Sequence, residues 1–225
     1  MSDPILHSPA PVTLLGGGEA PSELLSEALH HAPDLVCADG GADRALAAGL
    51  VPRAVIGDLD SISDAARAAV PAERLHHIPE QDSTDFDKCL RSIAAPLVLG
   101  VGFLGGRVDH ELAAFSTLVA RRDRPCVLLG ARDVICAAPP DCALTLPEGT
   151  RVSLYPLARV AGVSQGLRWP IEGLDFGPDR RIGTSNMADG SAVRLQFNAP
   201  GMLLILPRRC LSVMMAAVLH APRWR

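Results

Sequence analysis

The chain has 225 residues, 48% of them hydrophobic but only 4% aromatic, and carries a formal net charge of -4. This aliphatic, mildly acidic composition argues against a nucleic-acid binder, which would present a basic face, and no apolar run reaches the ~20 residues of a membrane helix. The length suits one large core or two modest ones.

The start, Met1-Ser2-Asp3-Pro4, has neither the basic residues nor the apolar stretch of a secretion signal, so the expectation is a cytoplasmic protein. Val12-Leu15 predicts a first strand running into Gly16-Gly17-Gly18, where glycine permits either a tight strand-to-helix turn or close approach of backbone N–H groups to a ligand. A helix follows over Ser22 to His31. Leu35-Cys37 predicts a second strand that ends in Asp39-Gly40-Gly41-Ala42-Asp43. Gly49 then reads as the C-terminal stop of a helix carrying Leu46, with Pro52 beyond it.

Ala54-Val55-Ile56 predicts a third, buried strand, and Ser63 an N-cap for a helix from Asp64. Between them stands Gly57-Asp58-Leu59-Asp60-Ser61-Ile62. If the backbone stays extended through Leu59, Asp58 and Asp60 share a face, because strand side chains alternate. Two adjacent carboxylates repel and raise each other's pKa unless a cation lies between them, and magnesium is the usual hard cation beside phosphates. The alternative is a surface turn with both aspartates solvated.

Leu75-Ile78 predicts a fourth strand, leading into Pro79-Glu80-Gln81-Asp82-Ser83-Thr84-Asp85. Thr84 can cap a helix whose core face is Phe86, Cys89, Leu90 and Ile93, with Asp85 and Lys88 three apart on another face. That pair reads either as a surface ion pair or as a metal ligand beside a phosphate-binding lysine. Leu97-Leu99 predicts a fifth strand. After it, Gly105-Gly106-Arg107 offers backbone donors next to a guanidinium, a combination suited to phosphate oxygens. The next helix is expected to bury Leu112, Phe115 and Val119.

From about residue 133 the pattern becomes short strands between Pro and Gly turns: Asp133-Ala137, Arg151-Tyr155, Ala192-Phe197 and Met202-Leu206, with helical character returning only at Leu211 to Leu219. The expected class is α/β: a parallel α/β sheet domain over residues 1–132, then an all-β sandwich over 133–225, with the boundary between Gly130 and Cys142. Cys37, Cys89, Cys126, Cys136, Cys142 and Cys210 form no CxxC pair and read as buried free thiols.

Each suspect segment follows a predicted strand, so in a parallel sheet all of them meet at the carboxyl edge where such folds bind ligands. Carboxylates for magnesium, with cations and glycine amides for phosphates, are equipment for metal-dependent phosphoryl transfer. No GxxxxGK[ST] motif is present.

Asp39-Gly40-Gly41-Ala42, Gly57-Asp58-Leu59-Asp60-Ser61-Ile62, Gln81-Asp82-Ser83-Thr84-Asp85 with Lys88, and Gly105-Gly106-Arg107-Val108-Asp109-His110 resemble, in order and spacing, the thiamine pyrophosphokinase family. Gly166-Leu167-Arg168-Trp169-Pro170, Leu174-Asp175-Phe176-Gly177, Thr184-Ser185-Asn186 and Gly201 to Pro207 extend the resemblance over roughly residues 12 to 207. It implies transfer of pyrophosphate from ATP to the hydroxyl of thiamine, with release of AMP, by a homodimer with active sites between subunits. By position it implies Asp58, Asp60 and Asp85 as magnesium ligands and Arg107 and Asp109 beside the phosphates or the attacking hydroxyl. Asp39, Gly40, Gly41, Ser61, Gln81, Thr84, Lys88, Gly105 and Gly106 would hold ATP; Trp169, Ser185 and Asn186 would contact thiamine within a thiamine-binding and dimerisation domain.

Two departures stand out: Gly183 occupies a position where a small hydroxyl residue is expected, and residues 208–225 extend past the family's last strand. Competing readings are a pyrophosphokinase for a hydroxymethylpterin and a non-catalytic module that binds a nucleotide or thiamine diphosphate.

Overall fold

The structure, a computed structural model, describes residues 3–224. Met1 and Ser2, part of the start read above, and Arg225, the end of the C-terminal extension, lie outside the described residues. The chain is a mixed α/β protein with large sheets, divided into two compact units: Met1–Thr117 with Leu128–Ala131, and Leu118–Val127 with Arg132–Arg225.

The first unit contains β1 (Leu6–His7), β2 (Val12–Leu15), α1 (Ser22–His31), β3 (Asp34–Ala38), α2 (Gly41–Ala47), β4 (Ala54–Gly57) and α3 (Asp64–Ala69). It continues with β5 (Leu75–His77), α4 (Asp85–Ser92), β6 (Ile93–Ala94), β7 (Val98–Val101) and most of α5 (Val108–Ala120). β2 pairs β7, β3 pairs β4 and β4 pairs β5, all parallel, and β2 lies alongside β3. β2, β4 and β7 are buried at every position, as strands covered on both faces must be. The chain therefore steps outward from β2 through β3 and β4 to β5, then returns to the opposite side of β2 at β7. That reversal opens a crevice at the carboxyl ends of the strands.

The helix boundaries follow from local chemistry. Ser63 Oγ accepts from Ala66 N at 3.1 Å and Thr84 Oγ1 from Asp87 N at 3.2 Å, so both predicted caps close their helices. Gly49, with φ 74, ends the turn after α2. On α4 the expected face is the buried one: Phe86, Cys89 and Leu90, with Ile93 just past its end, are each at most 4% exposed. On α5 the expectation fails. Ala114, Thr117 and Leu118 are buried, Phe115 and Val119 only partly, and Leu112 is 56% exposed. The buried stripe runs through Ala114, Thr117 and Leu118, a face rotated about the helix axis from the expected one.

β8 (Cys126–Leu129) straddles the division. The second unit then contains β9 (Asp133–Ala137), β10 (Asp141–Thr145), β11 (Arg151–Pro156), β12 (Gly162–Gln165), β13 (Gly183–Met187), β14 (Ala192–Phe197), β15 (Met202–Pro207) and α6 (Leu211–His220). Its strands pair antiparallel, β10 with β14 and β14 with β12, and separately β13 with β11, β11 with β15 and β15 with β9. β14 alternates exposed and buried along its whole length, the mark of a sheet with one wet face. α6 buries Leu211, Met214, Met215 and Ala217 and packs on β10 and β9, while Trp224 Nε1 donates to Ala138 O at 2.9 Å. The described part of the extension beyond residue 207 thus covers sheet within its own unit. All six cysteines are free and buried. Among the described residues no helix is long and apolar enough to cross a membrane.

Candidate active site

The first unit's loops after β2, β3, β4, β5 and β7 line one cavity of about 930 Å³. Gly17 and Gly18 bound it beside Gly102; Gly18 N donates to Gly102 O at 3.1 Å, and a Cβ on Gly18 would stand 2.5 Å from that oxygen. The glycine triplet is therefore first a close backbone crossing at the β2/β7 reversal.

β3 ends at Ala38, and Asp39 turns the chain through a left-handed conformation, φ 41, which Asp tolerates better than most residues. α2 can begin directly behind it because Gly41 has no side chain: a Cβ there would lie 2.2 Å from Leu15 O. Asp39 is 2% exposed; its Oδ2 accepts from Ser61 N at 3.2 Å, and its Oδ1 is buried without a partner. Burial pushes its pKa from 3.8 to about 6; the Ser61 bond opposes this, and the charges of Asp85, Asp58 and Asp60 add to it.

Gly57 closes β4 at the point of closest crowding. A Cβ on it would meet Asp39 Cβ at 2.9 Å and Asp85 Oδ1 at 3.1 Å, so glycine is what allows the two acidic loops to approach. Beyond it the backbone does not stay extended, so strand alternation is not what brings Asp58 and Asp60 together. Leu59 adopts φ 61 with its side chain buried, and Asp60 N donates to Asp58 Oδ1 at 3.4 Å. Such a conformation costs a leucine about 1–2 kcal/mol, so contacts from the surrounding structure must hold it. The turn still delivers the carboxylates. One oxygen from each of Asp39, Asp58 and Asp60 lies within 4.8 Å of the others. Ser61 Oγ donates to Asp60 Oδ1 at 2.9 Å.

α4 brings Asp85 and Lys88 to the same place. Lys88 is 1% exposed, and its Nζ donates to Asp58 Oδ2 at 3.2 Å and Asp85 Oδ1 at 3.1 Å. The pair is a bridge from a buried lysine rather than the surface ion pair that the spacing allowed, and Lys88 lines the cavity. Burial opposes the ammonium's charge, but the bonds to Asp85 and Asp58 outweigh it and raise its pKa. Burial likewise works against the Asp58 carboxylate; bonds from Lys88, the Asp60 amide and Gln81 Nε2, the last at 3.2 Å, prevail and lower its pKa. Thr84 has its hydroxyl engaged as the helix cap.

The Gly105-Gly106-Arg107 loop is also internally engaged. Gly105, at φ 83, donates its N–H to Glu111 Oε2 at 3.3 Å, and Arg107 forms a fork with Asp109, Nε to Oδ1 at 3.1 Å and Nη2 to Oδ2 at 2.6 Å. Both side chains are exposed. The bond from Arg107 holds the Asp109 carboxyl below the usual range.

A hard divalent cation fits this rim. The donors are carboxylate oxygens, and the unpartnered Asp39 Oδ1 is the buried atom that most needs a cation. Sequence reasoning assigned Asp39 to the nucleotide and missed it as a member of the acidic cluster. The available signal was an aspartate directly before Gly-Gly at a strand's end.

The remaining predicted residues lie in the second unit. Asn186 is 7% exposed; its Oδ1 accepts from Trp169 N at 3.2 Å and Met187 N at 2.8 Å, and its Nδ2 donates to Trp169 O at 2.7 Å. It fastens the Trp169 backbone, leaving the indole 53% exposed with the Arg168 guanidinium 5.9 Å from the ring centroid. Ser185 is exposed at φ 64, its N–H donating to Ser153 Oγ at 3.0 Å. The glycine at 183 has a packing reason: a Cβ would press on Leu154 Cβ at 3.1 Å and the Phe176 ring at 3.2 Å.

Residues 25–128 match the family model described as thiamin pyrophosphokinase, catalytic domain, a span that contains the acidic rim and the Gly-Gly-Arg loop. Thiamine pyrophosphokinase 2 of Oryza sativa subsp. japonica is 27% identical over 75% of this chain and 76% of that protein. Thiamin pyrophosphokinase 1 of Caenorhabditis elegans is 29% identical over 66% and 67%. Among solved structures, thiamine pyrophosphokinase from Bacillus subtilis superposes with a TM-score of 0.70 at 23% identity, covering 88% of this chain and 98% of its own. Yeast thiamin pyrophosphokinase does so with 0.69 at 18%, covering 93% and 89%. Sequence relatives, family model and fold agree with the motifs around the rim, and all of them point to the thiamine pyrophosphokinase family.

Proposed function

We propose that this chain transfers a pyrophosphoryl group from ATP to the hydroxyl of thiamine, giving thiamine diphosphate and AMP, and that the reaction depends on magnesium. The observation that carries the reading is the meeting of Asp39, Asp58 and Asp60 beside the buried Lys88 bridge, inside the segment that matches the catalytic-domain model. Asp39, Asp58, Asp60 and Asp85 would hold magnesium, which when bound would neutralise the triphosphate and favour departure of AMP. Lys88 acts through the carboxylates it bridges, fixing where Asp58 and Asp85 point. Gly40, Gly41, Ser61, Gln81, Thr84, Gly105 and Gly106 would line the nucleotide.

Arg107 would exchange Asp109 for phosphate oxygens when the nucleotide arrives. Losing its guanidinium partner lets the Asp109 pKa rise, so the carboxylate becomes a better acceptor for the thiamine hydroxyl proton as the substrates assemble. In the second part of the chain we propose a thiamine-binding and dimerisation domain over 133–225, its two antiparallel sheets forming a sandwich, after an ATP-binding domain over 1–132. The exposed Trp169 ring, which already has a guanidinium near it, suits the cationic thiazolium; Asn186 fastens its backbone, and Ser185 precedes Asn186 in the chain. A cytoplasmic homodimer completes the proposal.

The test is release of AMP from ATP with magnesium and thiamine, run beside a hydroxymethylpterin as acceptor. Thiamine diphosphate formed in step with AMP is the expected result. Transfer to the pterin alone would replace the acceptor, and nucleotide binding without AMP would reduce the chain to a binding module.

A further inference from the structure

The left-handed Leu59 lies at the centre of the acidic turn, and leucine has no intrinsic reason to hold that conformation. Something outside the turn must hold it. The Leu59 carbonyl accepts from Arg67 Nη2 at 2.6 Å, a charge-assisted bond from the second turn of α3 back across the loop. α3 is itself anchored: Ser63 caps it, and Asp43 on α2 receives both the Ser63 N–H, at 3.1 Å, and the Ser63 hydroxyl. The loop from Asp58 to Ser63 is thus fixed at its middle by Arg67 and at its far end by Asp43, with Ser61 N tied to Asp39 between them.

We propose that Arg67 is a positioning residue, which touches neither substrate nor cation and sets the separation of the Asp58 and Asp60 carboxylates by holding Leu59 left-handed. Asp43 serves the same turn through Ser63. Without the bond the turn has a lower-strain extended alternative, in which Asp58 and Asp60 leave the arrangement they share with Asp39. The inference rests on the cation reading of the rim, and it makes a prediction of unusual sign. Arg67 is a positive charge near an acidic site, so deleting it should strengthen cation binding if charge alone mattered. Loss of positioning weakens it.

The experiment titrates Mn2+ into the nucleotide-free protein, following free Mn2+ by electron paramagnetic resonance, for wild type, Arg67→Met and Arg67→Lys. Amide hydrogen exchange at Asp60 and Ser61 and thermal melting are measured in parallel without metal. Expected is a Kd for Mn2+ about tenfold weaker in Arg67→Met, the size of one lost charged hydrogen bond, with an intermediate value for Arg67→Lys. The Ser61 amide should exchange faster in Arg67→Met while the melting temperature stays close to wild type. Equal or tighter Mn2+ binding in Arg67→Met, with unchanged Ser61 exchange, overturns the inference. Faster Ser61 exchange in a protein whose wild type takes no Mn2+ supports the loop-holding role and overturns the cation reading instead.

Discussion

The acidic rim of the first unit and the Trp169–Asn186 corner of the second contain similar kinds of polar residue in opposite states. At the corner the polar atoms are satisfied internally: Asn186 has both amide atoms bonded to backbone and Ser185 N–H meets Ser153. At the rim, Asp39 keeps a buried oxygen without a partner and Leu59 sits in a strained conformation. A set of groups that destabilises the free protein makes sense when a ligand supplies what is lacking. In the second unit the orphan among the described residues is the Thr150 hydroxyl, which carries no charge and has no comparable cluster around it. Unpartnered charge, more than polarity, distinguishes the two regions.

The largest expected effect strikes the rim alone. Asp60→Asn should lower AMP release by about a hundredfold or more at saturating magnesium, the scale of removing one electrostatic stabiliser, while melting stays near wild type. A wild-type rate would make the rim as structural as the corner.

Asp39→Asn should separate stability from activity. The folded Asp39 pKa of about 6 exceeds its ordinary 3.8, so the unfolded chain ionises first and folding stability falls as pH rises from about 4 to about 6, then levels. Above pH 6 the neutral amide avoids that penalty. The variant should therefore be more stable than wild type by about 2–3 kcal/mol at pH 8, with the difference vanishing near pH 4, while activity is lost. Melting curves at the two pH values check it, and magnesium should raise the wild-type melting temperature at pH 8 but not the variant's. A variant no more stable at pH 8 would mean that Asp39 is already satisfied in the free protein.

How far each region was legible in the sequence follows the same division. Strands β2 and β4, helix α1 and the Ser63 and Thr84 caps were readable because apolar runs and capping side chains act within a few residues. Convergence of the acidic segments followed from strands sharing a direction. Leu59 was not readable, since nothing in its type marks a left-handed turn; burial of its side chain and the reach of Arg67 are tertiary facts. In the second unit β12 and β13 went unnoticed because Gly162–Gln165 and Gly183–Met187 have few buried side chains, their strand character coming from partners far along the chain. The α5 face was misplaced: the buried side is the one with Ala114 and Leu118, and Leu112 is turned outward.

Asn186→Ala sharpens the comparison from the corner's side. Loss of the amide leaves the Trp169 N–H and carbonyl and the Met187 N–H without that partner, so stability should fall by about 1–3 kcal/mol in substrate-free protein. The KM for thiamine should rise as Trp169 loosens. A raised KM with unchanged melting would instead make Asn186 a direct ligand, and the corner a site in the same sense as the rim.

The smallest expected effect lies where the two behaviours meet, at the exposed Arg107–Asp109 fork, which is satisfied internally although Arg107 lines the cavity. An exposed pair of this kind contributes about 0–1 kcal/mol, so Asp109→Asn should hardly move the melting temperature. If nucleotide phosphates compete with Asp109 for Arg107, freeing the guanidinium in advance removes a bond that binding must break, and the KM for ATP should fall about two- to threefold. The turnover number separates the second role proposed for Asp109. A fall in kcat alongside the lower KM marks it as the proton acceptor, whereas an unchanged kcat confines it to masking Arg107 and moves proton acceptance to the carboxylates around Asp58. An unchanged KM would show that the fork is never broken, and Arg107 would then belong with Asn186 among the residues whose polarity serves only their own backbone and neighbours.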